Sequence, residues 1–112
     1  MEEPVDVQGL AREINEALIL AVLQNGAMHG YQIALEVEER TGGVYAFQHG
    51  TLYPILHRLE KEGRIEGAWS KENGRRRKEY RPTPKGRSQL AVQQRRFGDA
   101  FGTLLRLLDD AI

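Results

Sequence analysis

The chain lacks cysteine entirely, and this absence removes several classes of site. It can form no disulfide, no thiolate metal site and no thiol nucleophile. Its three histidines, His29, His49 and His57, are not spaced as metal ligands, so we expect no structural zinc. The sequence also offers no nucleophile–base pair and no glycine-rich phosphate loop. We therefore expect neither an enzyme nor a bound cofactor.

Long apolar segments are also missing. The longest apolar run covers residues 17–23, far fewer than the roughly 20 residues that cross a bilayer. The chain begins with Met1-Glu2-Glu3-Pro4 and has no basic start of the kind that signal peptides carry. We expect a soluble, cytoplasmic protein that does not interact with membranes. Its 112 residues suffice for one hydrophobic core.

An excess of charge of either sign is absent as well, because 16 Lys and Arg residues balance 16 Asp and Glu residues. The two signs are nevertheless separated along the chain. Residues 1–40 hold eight acidic residues against two arginines, whereas residues 71–87 hold eight basic residues against two glutamates. A neutral chain whose cations are concentrated in one short segment is suited to local contact with a polyanion.

The apolar periodicity predicts helices over about residues 7–24, 30–40, 51–62 and 84–110. Thr51 and Thr83 are expected to cap the last two of these helices. Residues 65–70 and 78–82 are predicted strands, joined at Asn73-Gly74 because this dipeptide favours a type I′ turn. The order predicts a mainly α (α+β) winged helix-turn-helix domain over residues 1–83. A long C-terminal dimerisation helix would follow over residues 84–112.

The third predicted helix has one apolar side and one polar side. Leu52, Ile55, Leu56 and Leu59 recur at helical spacing and are predicted to face the core. Such a helix fits the DNA major groove, where residues near its start reach the bases and later ones reach phosphate. On this interpretation the contacting residues are Gln48, His49, Thr51, Tyr53, Pro54, His57 and Arg58.

Each of these contacts has an alternative that the sequence leaves open. Gln48 is either an adenine-reading amide or a solvated one. Tyr53 either donates its hydroxyl to phosphate or lies partly buried beside the helix. Arg58 either reaches phosphate or forms an ion pair with Glu62, four residues later.

The predicted hairpin is the stronger electrostatic argument. Its returning strand carries Arg75, Arg76, Arg77 and Lys78, which alternate in direction, so about half should face DNA. The alternative is a solvated surface cluster. Trp69, on the first strand, is expected to pack against the core, with Tyr80 across from it.

Four segments resemble the PadR family of bacterial transcriptional regulators over about residues 18–90. They are Gly30-Tyr31-Gln32-Ile33, residues 50–60 (GTLYPILHRLE), Gly63-Arg64-Ile65 and residues 77–86 (RKEYRPTPKG). The resemblance implies a homodimeric winged-helix repressor that binds double-stranded DNA and whose C-terminal helix pairs with its twin. The short tail suggests the compact branch of this family, and a small effector becomes plausible.

The last helix carries apolar residues at heptad-like spacing, which is typical of a paired helix. The residues expected in the dimer interface are Leu90, Phe97, Phe101, Leu104 and Leu108. The alternative is a helix folded onto its own domain. If a small apolar effector binds, we expect it at this interface around Trp69, Phe97 and Phe101.

These observations predict a sequence-specific DNA-binding transcriptional regulator. We expect a repressor that binds a palindromic operator as a homodimer and is released by a small molecule. The alternative is a winged-helix interaction module whose basic wing binds an acidic protein.

Overall fold

The structure is a computed structural model that describes residues 6–48 and 50–111, apart from the side chain of Glu72. The elements follow in the order α1 (Val7–Leu23), β1 (Met28–His29), α2 (Gly30–Arg40), α3 (Leu52–Lys61), β2 (Ile65–Glu72), β3 (Arg75–Pro82) and α4 (Pro84–Asp110). The predicted mainly α, winged-helix architecture is confirmed. No helix in the described part of the chain has the length and apolar character that crossing a membrane requires.

The hydrophobic core lies between α1, α2 and α3 and is closed by the base of the sheet. The α3 residues that the spacing predicted to face inward are buried. On α1 the buried side is shifted, because Ile19 and Leu20 are fully buried whereas Leu10 and Ile14 are only half-buried. The buried cluster consists of Ile19, Leu20, Val22, Leu23, Ile33, Val37, Leu52, Ile55, Leu56, Leu59, Ile65 and Tyr80.

The sheet has three antiparallel strands in the order β1-β3-β2, one more than the sequence predicted. β1 pairs with the base of β3 through Met28 opposite Tyr80 and His29 opposite Glu79. A strand of two residues has no periodicity that a sequence pattern can reveal. Its effect is to join the start of α2 directly to the wing, which we define as β2, β3 and the turn between them.

The wing turn has the geometry that its sequence predicts. Asn73 and Gly74 have φ angles of 52° and 78°, both in the left-handed region that a type I′ turn requires. The strands are paired up to the turn, where Glu72 lies opposite Arg75. The hairpin is therefore longer than predicted and extends its basic residues away from the core.

The start of α4 is tied closely to the end of α3. The Thr83 hydroxyl accepts a hydrogen bond from the Gly86 N–H (3.1 Å) and donates one to the Gly63 carbonyl (2.7 Å). A Cβ atom at Gly86 would overlap the Arg64 carbonyl oxygen, so this close approach requires glycine. The predicted Thr83 cap is thus confirmed.

The first half of α4 packs against α1, and the second half extends beyond it. Glu16 of α1 accepts a hydrogen bond from Gln89, and Arg96 forms an ion pair with Glu13. The projecting part of α4 exposes the apolar side chains of Phe101, Leu104, Leu105, Leu107 and Leu108. The structure is correspondingly elongated, with principal extents of 57 × 29 × 23 Å.

Candidate nucleic-acid interface

The outer side of α3 exposes Tyr53, Pro54 and His57, as the apolar spacing predicted. Gln48, in the preceding loop, is also exposed, while His49 lies outside the described residues. The prediction that Thr51 caps α3 is wrong. Its backbone is already helical (φ −85°, ψ −36°), and its side chain makes no capping hydrogen bond. A capping side chain normally extends from a non-helical backbone, so the hydroxyl is misdirected here.

Tyr53 is exposed and also packs against a neighbouring element, so its predicted contact with phosphate stays a prediction. Its side chain is 59% exposed, yet its ring lies against Gly30 at the start of α2. A Cβ atom at position 30 would lie 2.8 Å from the Tyr53 Cε1 atom, so any larger residue there would collide with the ring. Gly30 therefore allows α3 to present Tyr53 beside the start of α2.

Arg58 does not pair with Glu62. Its Nη2 atom donates to the Glu16 Oε1 atom of α1 at 2.9 Å. The Glu16 side chain is only 12% exposed, and a carboxylate this buried needs a partner more than an exposed one does. Arg58 is thus directed toward α1, which argues against the predicted contact with DNA.

The four wing cations fall into two groups. Arg75 and Arg76, next to the turn, are exposed. Arg77 is half-buried, with its Nη1 atom 2.8 Å from His29 Nε2. Lys78 donates from Nζ to the Glu60 Oε1 atom at 2.7 Å. The cations at the base of the wing therefore connect elements of the fold, and those at its tip remain available to solvent.

Trp69 is not a core residue, so that prediction is wrong. Its side chain is 61% exposed, and the register places it opposite Lys78, while Tyr80 lies opposite Gly67. The core ends at the level of Tyr80, so Trp69 lies farther out along the wing. The Arg76 guanidinium lies 4.8 Å from the centre of the Trp69 ring, within the range of a cation–π interaction.

A groove of about 530 Å³ separates the wing from the starts of α2 and α3. It is lined mainly by aromatic rings and cationic side chains, namely Tyr31, Tyr53, Trp69, Tyr80, Arg76 and Lys78. The sequence interpretation did not include Tyr31, which is exposed here, among the residues expected to contact DNA. Of the residues predicted to contact DNA, the groove brings together Tyr53 of α3 and the wing residues Arg76, Arg77 and Lys78, whereas Gln48, Pro54, His57 and Arg75 lie outside its lining.

His29 connects the wing to α2, which the sequence interpretation also missed. Its Nδ1 atom accepts from the Gln32 N–H (3.4 Å), and the Gln32 side chain accepts from the His29 N–H (3.1 Å). This is a capping box in which histidine replaces the usual serine or threonine. The glutamine three residues after the cap was the available signal.

Glu60 makes the corresponding connection from α3. Its Oε1 atom accepts from Lys78 on β3, and its Oε2 atom accepts from the Gly67 N–H on β2 at 3.2 Å. The hydrogen bond to Glu60 raises the pKa of the Lys78 ammonium above its ordinary value. One carboxylate thus bridges α3 to both strands of the wing.

The residues predicted for dimerisation and for an effector are divided between the core, the exposed end of α4 and the wing groove. Leu90 is half-buried and packs against the core of its own chain, so only part of its side chain is available for the predicted interface. Phe97 is half-buried and its ring lies 6.1 Å from that of Phe101, with Leu104 and Leu108 exposed beyond them. Trp69 lines the wing groove, whose lining includes neither phenylalanine. A single chain therefore does not assemble the predicted effector pocket.

A family match and a related protein both identify the family to which this sequence is similar. Residues 19–92 match the transcriptional regulator PadR-like family. The transcriptional regulator Rv3488 of Mycobacterium tuberculosis is 36% identical over 85 residues, which cover 75% of this chain and 79% of that protein.

Solved structures share the fold over most of the chain. A transcriptional regulator from Clostridium thermocellum matches with a TM-score of 0.78 and 28% identity, covering 85% of this chain and 93% of that one. PadR of Bacillus subtilis, solved in complex with operator DNA, matches with a TM-score of 0.65 and 28% identity over 70% of this chain and 46% of its own. The sequence match and the shared fold together show that the chain belongs to the PadR-like family of transcriptional regulators.

Proposed function

We propose that this regulator is a repressor that binds a palindromic DNA operator as a homodimer. The observation that carries the proposal is the position of the exposed side of α3 beside the basic wing. The two surfaces flank one groove and expose Tyr53, His57, Arg75 and Arg76. The related Bacillus subtilis PadR was solved in complex with operator DNA, which supports DNA as the ligand.

The two surfaces have different roles in this proposal. The start of α3, with Gln48 and Tyr53, enters the major groove and supplies the choice of sequence. His49 belongs to the same proposed contact. The wing arginines contact phosphate, which adds affinity but little selectivity. Each cation that neutralises a phosphate contributes about −0.9 to the slope of log affinity against log salt concentration.

The projecting half of α4 supports the homodimer. The 27 residues of α4 extend for about 40 Å, and the apolar side chains of its distal half are exposed in the single chain. These side chains occupy a broad side of the helix, so a second copy offers a matching surface. Pairing about a two-fold axis would place two α3 helices on half-sites about 34 Å apart, one turn of DNA.

We further propose that a small apolar effector binds in the dimer beside Phe97 and Phe101. The two rings are only partly covered within the chain, which leaves apolar surface near the predicted interface. Trp69 of the same chain is not part of this proposal, because it lies on the wing.

The experiment is a gel-shift assay with DNA from upstream of the chain's own gene and a shuffled duplex of the same composition. We expect preferential binding to the upstream DNA. Arg76→Ala should reduce the salt slope by about 0.9, the contribution of one phosphate contact. Arg95→Ala, an exposed arginine on α4, is the matched control and should leave the slope unchanged.

A folded dimer that binds neither duplex at low salt would contradict the proposal. Equal affinity for both duplexes, unaffected by Gln48→Ala, would instead favour a wing that binds acidic partners through charge alone.

A further inference from the structure

Glu60 is an acidic residue placed where a polyanion is proposed to bind. On α3 it follows the exposed residues Tyr53 and His57, and its carboxylate turns toward the wing. Its Oε1 atom accepts from Lys78 Nζ at 2.7 Å, and its Oε2 atom accepts from the Gly67 N–H at 3.2 Å. Both oxygens are therefore engaged, one with each strand of the hairpin.

Gly67 and Lys78, the two partners of Glu60, are themselves closely packed. A Cβ atom at Gly67 would overlap Lys78 Cε and would lie 2.8 Å from Glu60 Oε2. A side chain at position 67 would therefore displace the ends of Lys78 and Glu60 from this arrangement. The Lys78 ammonium lies 5.7 Å from the centre of the Tyr80 ring and 5.8 Å from that of Trp69. Hydrogen bonds between charged groups are among the stronger ones in proteins, so this bridge restrains the angle between α3 and the wing.

Charge and geometry predict opposite effects on DNA affinity when the Glu60 carboxylate is removed. A carboxylate near DNA repels phosphate, so on charge alone its removal should strengthen binding. If the carboxylate instead fixes the wing, its removal should weaken binding to a site that α3 and the wing must engage together.

We propose that Glu60 is a positioning residue, whose carboxylate fixes the wing relative to α3 so that both elements engage one operator. The inference rests on the proposed DNA-binding function. The side chain touches no DNA in this arrangement and acts through Gly67 and Lys78.

The test compares Glu60→Ala and Glu60→Gln with Glu66→Gln, using full-length protein. Glu66 is the matched control, because it is an exposed acid on the same wing, opposite Arg81. Affinity is measured by fluorescence anisotropy for the upstream duplex and for the shuffled duplex of the same composition.

We expect Glu60→Ala to weaken binding to the upstream duplex about tenfold, the size of effect that losing hydrogen bonds to a charged group produces. Glu60→Gln, which keeps an acceptor for the Gly67 N–H, should lose less. Neither variant should weaken binding to the shuffled duplex, which needs no fixed wing angle. Glu66→Gln should not weaken binding to either duplex.

Trp69 supplies an independent readout, because it is the only tryptophan in the chain and lies opposite Lys78. Glu60→Ala should change the emission of Trp69 and its quenching by acrylamide, whereas Glu66→Gln should not. Circular dichroism verifies that each variant is folded.

Three outcomes would overturn the inference. One is unchanged or tighter binding of the upstream duplex by Glu60→Ala. The second is an equal loss on both duplexes, which indicates general damage to the fold. The third is unchanged Trp69 emission and quenching. If the wild-type chain does not prefer the upstream duplex, the proposed function fails instead, and the Trp69 readout still decides whether Glu60 fixes the wing.

Discussion

At the scale of single residues, the Thr83 hydroxyl connects the start of α4 to the turn that follows α3. It caps α4 through the Gly86 N–H and donates to the Gly63 carbonyl, while the Thr83 N–H donates to the Arg64 carbonyl. Both hydroxyl contacts lie in a largely buried region. The residue therefore fixes the direction in which the long helix leaves the domain.

Thr83→Val keeps the shape of the side chain but removes both hydroxyl contacts. We expect the free energy of unfolding to fall by about 1–2 kcal/mol, the usual cost of losing a helix cap. Urea denaturation measures the change. Thr103→Val on the exposed part of α4 is the control, and its effect should stay within about 0.5 kcal/mol. Equal losses in the two variants would argue against this role of Thr83.

The residues that the sequence predicted correctly are those whose surroundings depend on local spacing. The inward side of α3 and the Thr83 cap follow from neighbours three or four positions away. The wrong prediction for Trp69 and the unpredicted pairing of Arg58 with Glu16 have a different origin. The burial of Trp69 depends on how far the core extends up the wing. The direction of the Arg58 side chain depends on Glu16, which lies 42 residues away in the chain. Local sequence patterns carry no information on the extent of the core or on partners that are distant in the chain.

At the scale of elements, the distal half of α4 is the surface whose burial the proposed dimer requires. Leu104 and Leu108 lie one turn apart and are exposed in the single chain. We expect Leu104→Glu combined with Leu108→Glu to give a folded monomer, because four charges would face each other across a two-fold interface. Analytical ultracentrifugation measures the state of assembly.

The matched control for this pair is Thr103→Glu, which adds a charge to the same exposed region of α4. It should leave the dimer intact, because Thr103 lies beside the apolar stripe. DNA binding by the double variant should be much weaker, since each half-site is then bound separately. A double variant that remains dimeric would exclude this stripe as the interface.

The elements themselves were largely predictable, with one exception. The helix α2 and the end points of α4 match the predicted ranges, and the Asn73-Gly74 turn has the expected conformation. These features follow from strong local signals, namely apolar periodicity, caps and residues that tolerate positive φ. β1 was missed because its two residues become a strand only by pairing with β3, about 50 residues later. The Glu60 bridge was missed for the same reason.

At the scale of the whole molecule, three groups make stability sensitive to alkaline pH. The hydrogen bond to Glu60 raises the pKa of Lys78 above its ordinary 10.5, and burial raises the pKa of Tyr80 and Tyr45 above 10.0. The folded state therefore keeps these protons more tightly than the unfolded state does. Their contribution is complete below the ordinary pKa values and is lost as the pH rises through the raised ones.

We accordingly expect the free energy of unfolding to fall as the pH rises above about 10, the ordinary pKa of tyrosine. Urea denaturation at a series of pH values measures this loss. Tyr80→Phe removes one of the three groups, so it should make the alkaline loss smaller. An alkaline loss as large in Tyr80→Phe as in the wild type would show that Tyr80 does not contribute.

The separation of charge along the chain also affects how the molecule would be oriented near a polyanion. Because its net charge is near zero and its isoelectric point is about 6.8, the protein experiences little net electrostatic attraction to a distant polyanion. The exposed acidic side chains of α2 and the exposed arginines at the wing tip nevertheless carry opposite charge, and separated opposite charges experience a torque in an electric field. Screening confines that torque to separations of about 8 Å at physiological salt. On the proposed function, the molecule would therefore meet DNA in any orientation and would turn its wing toward the DNA only in the last step of approach.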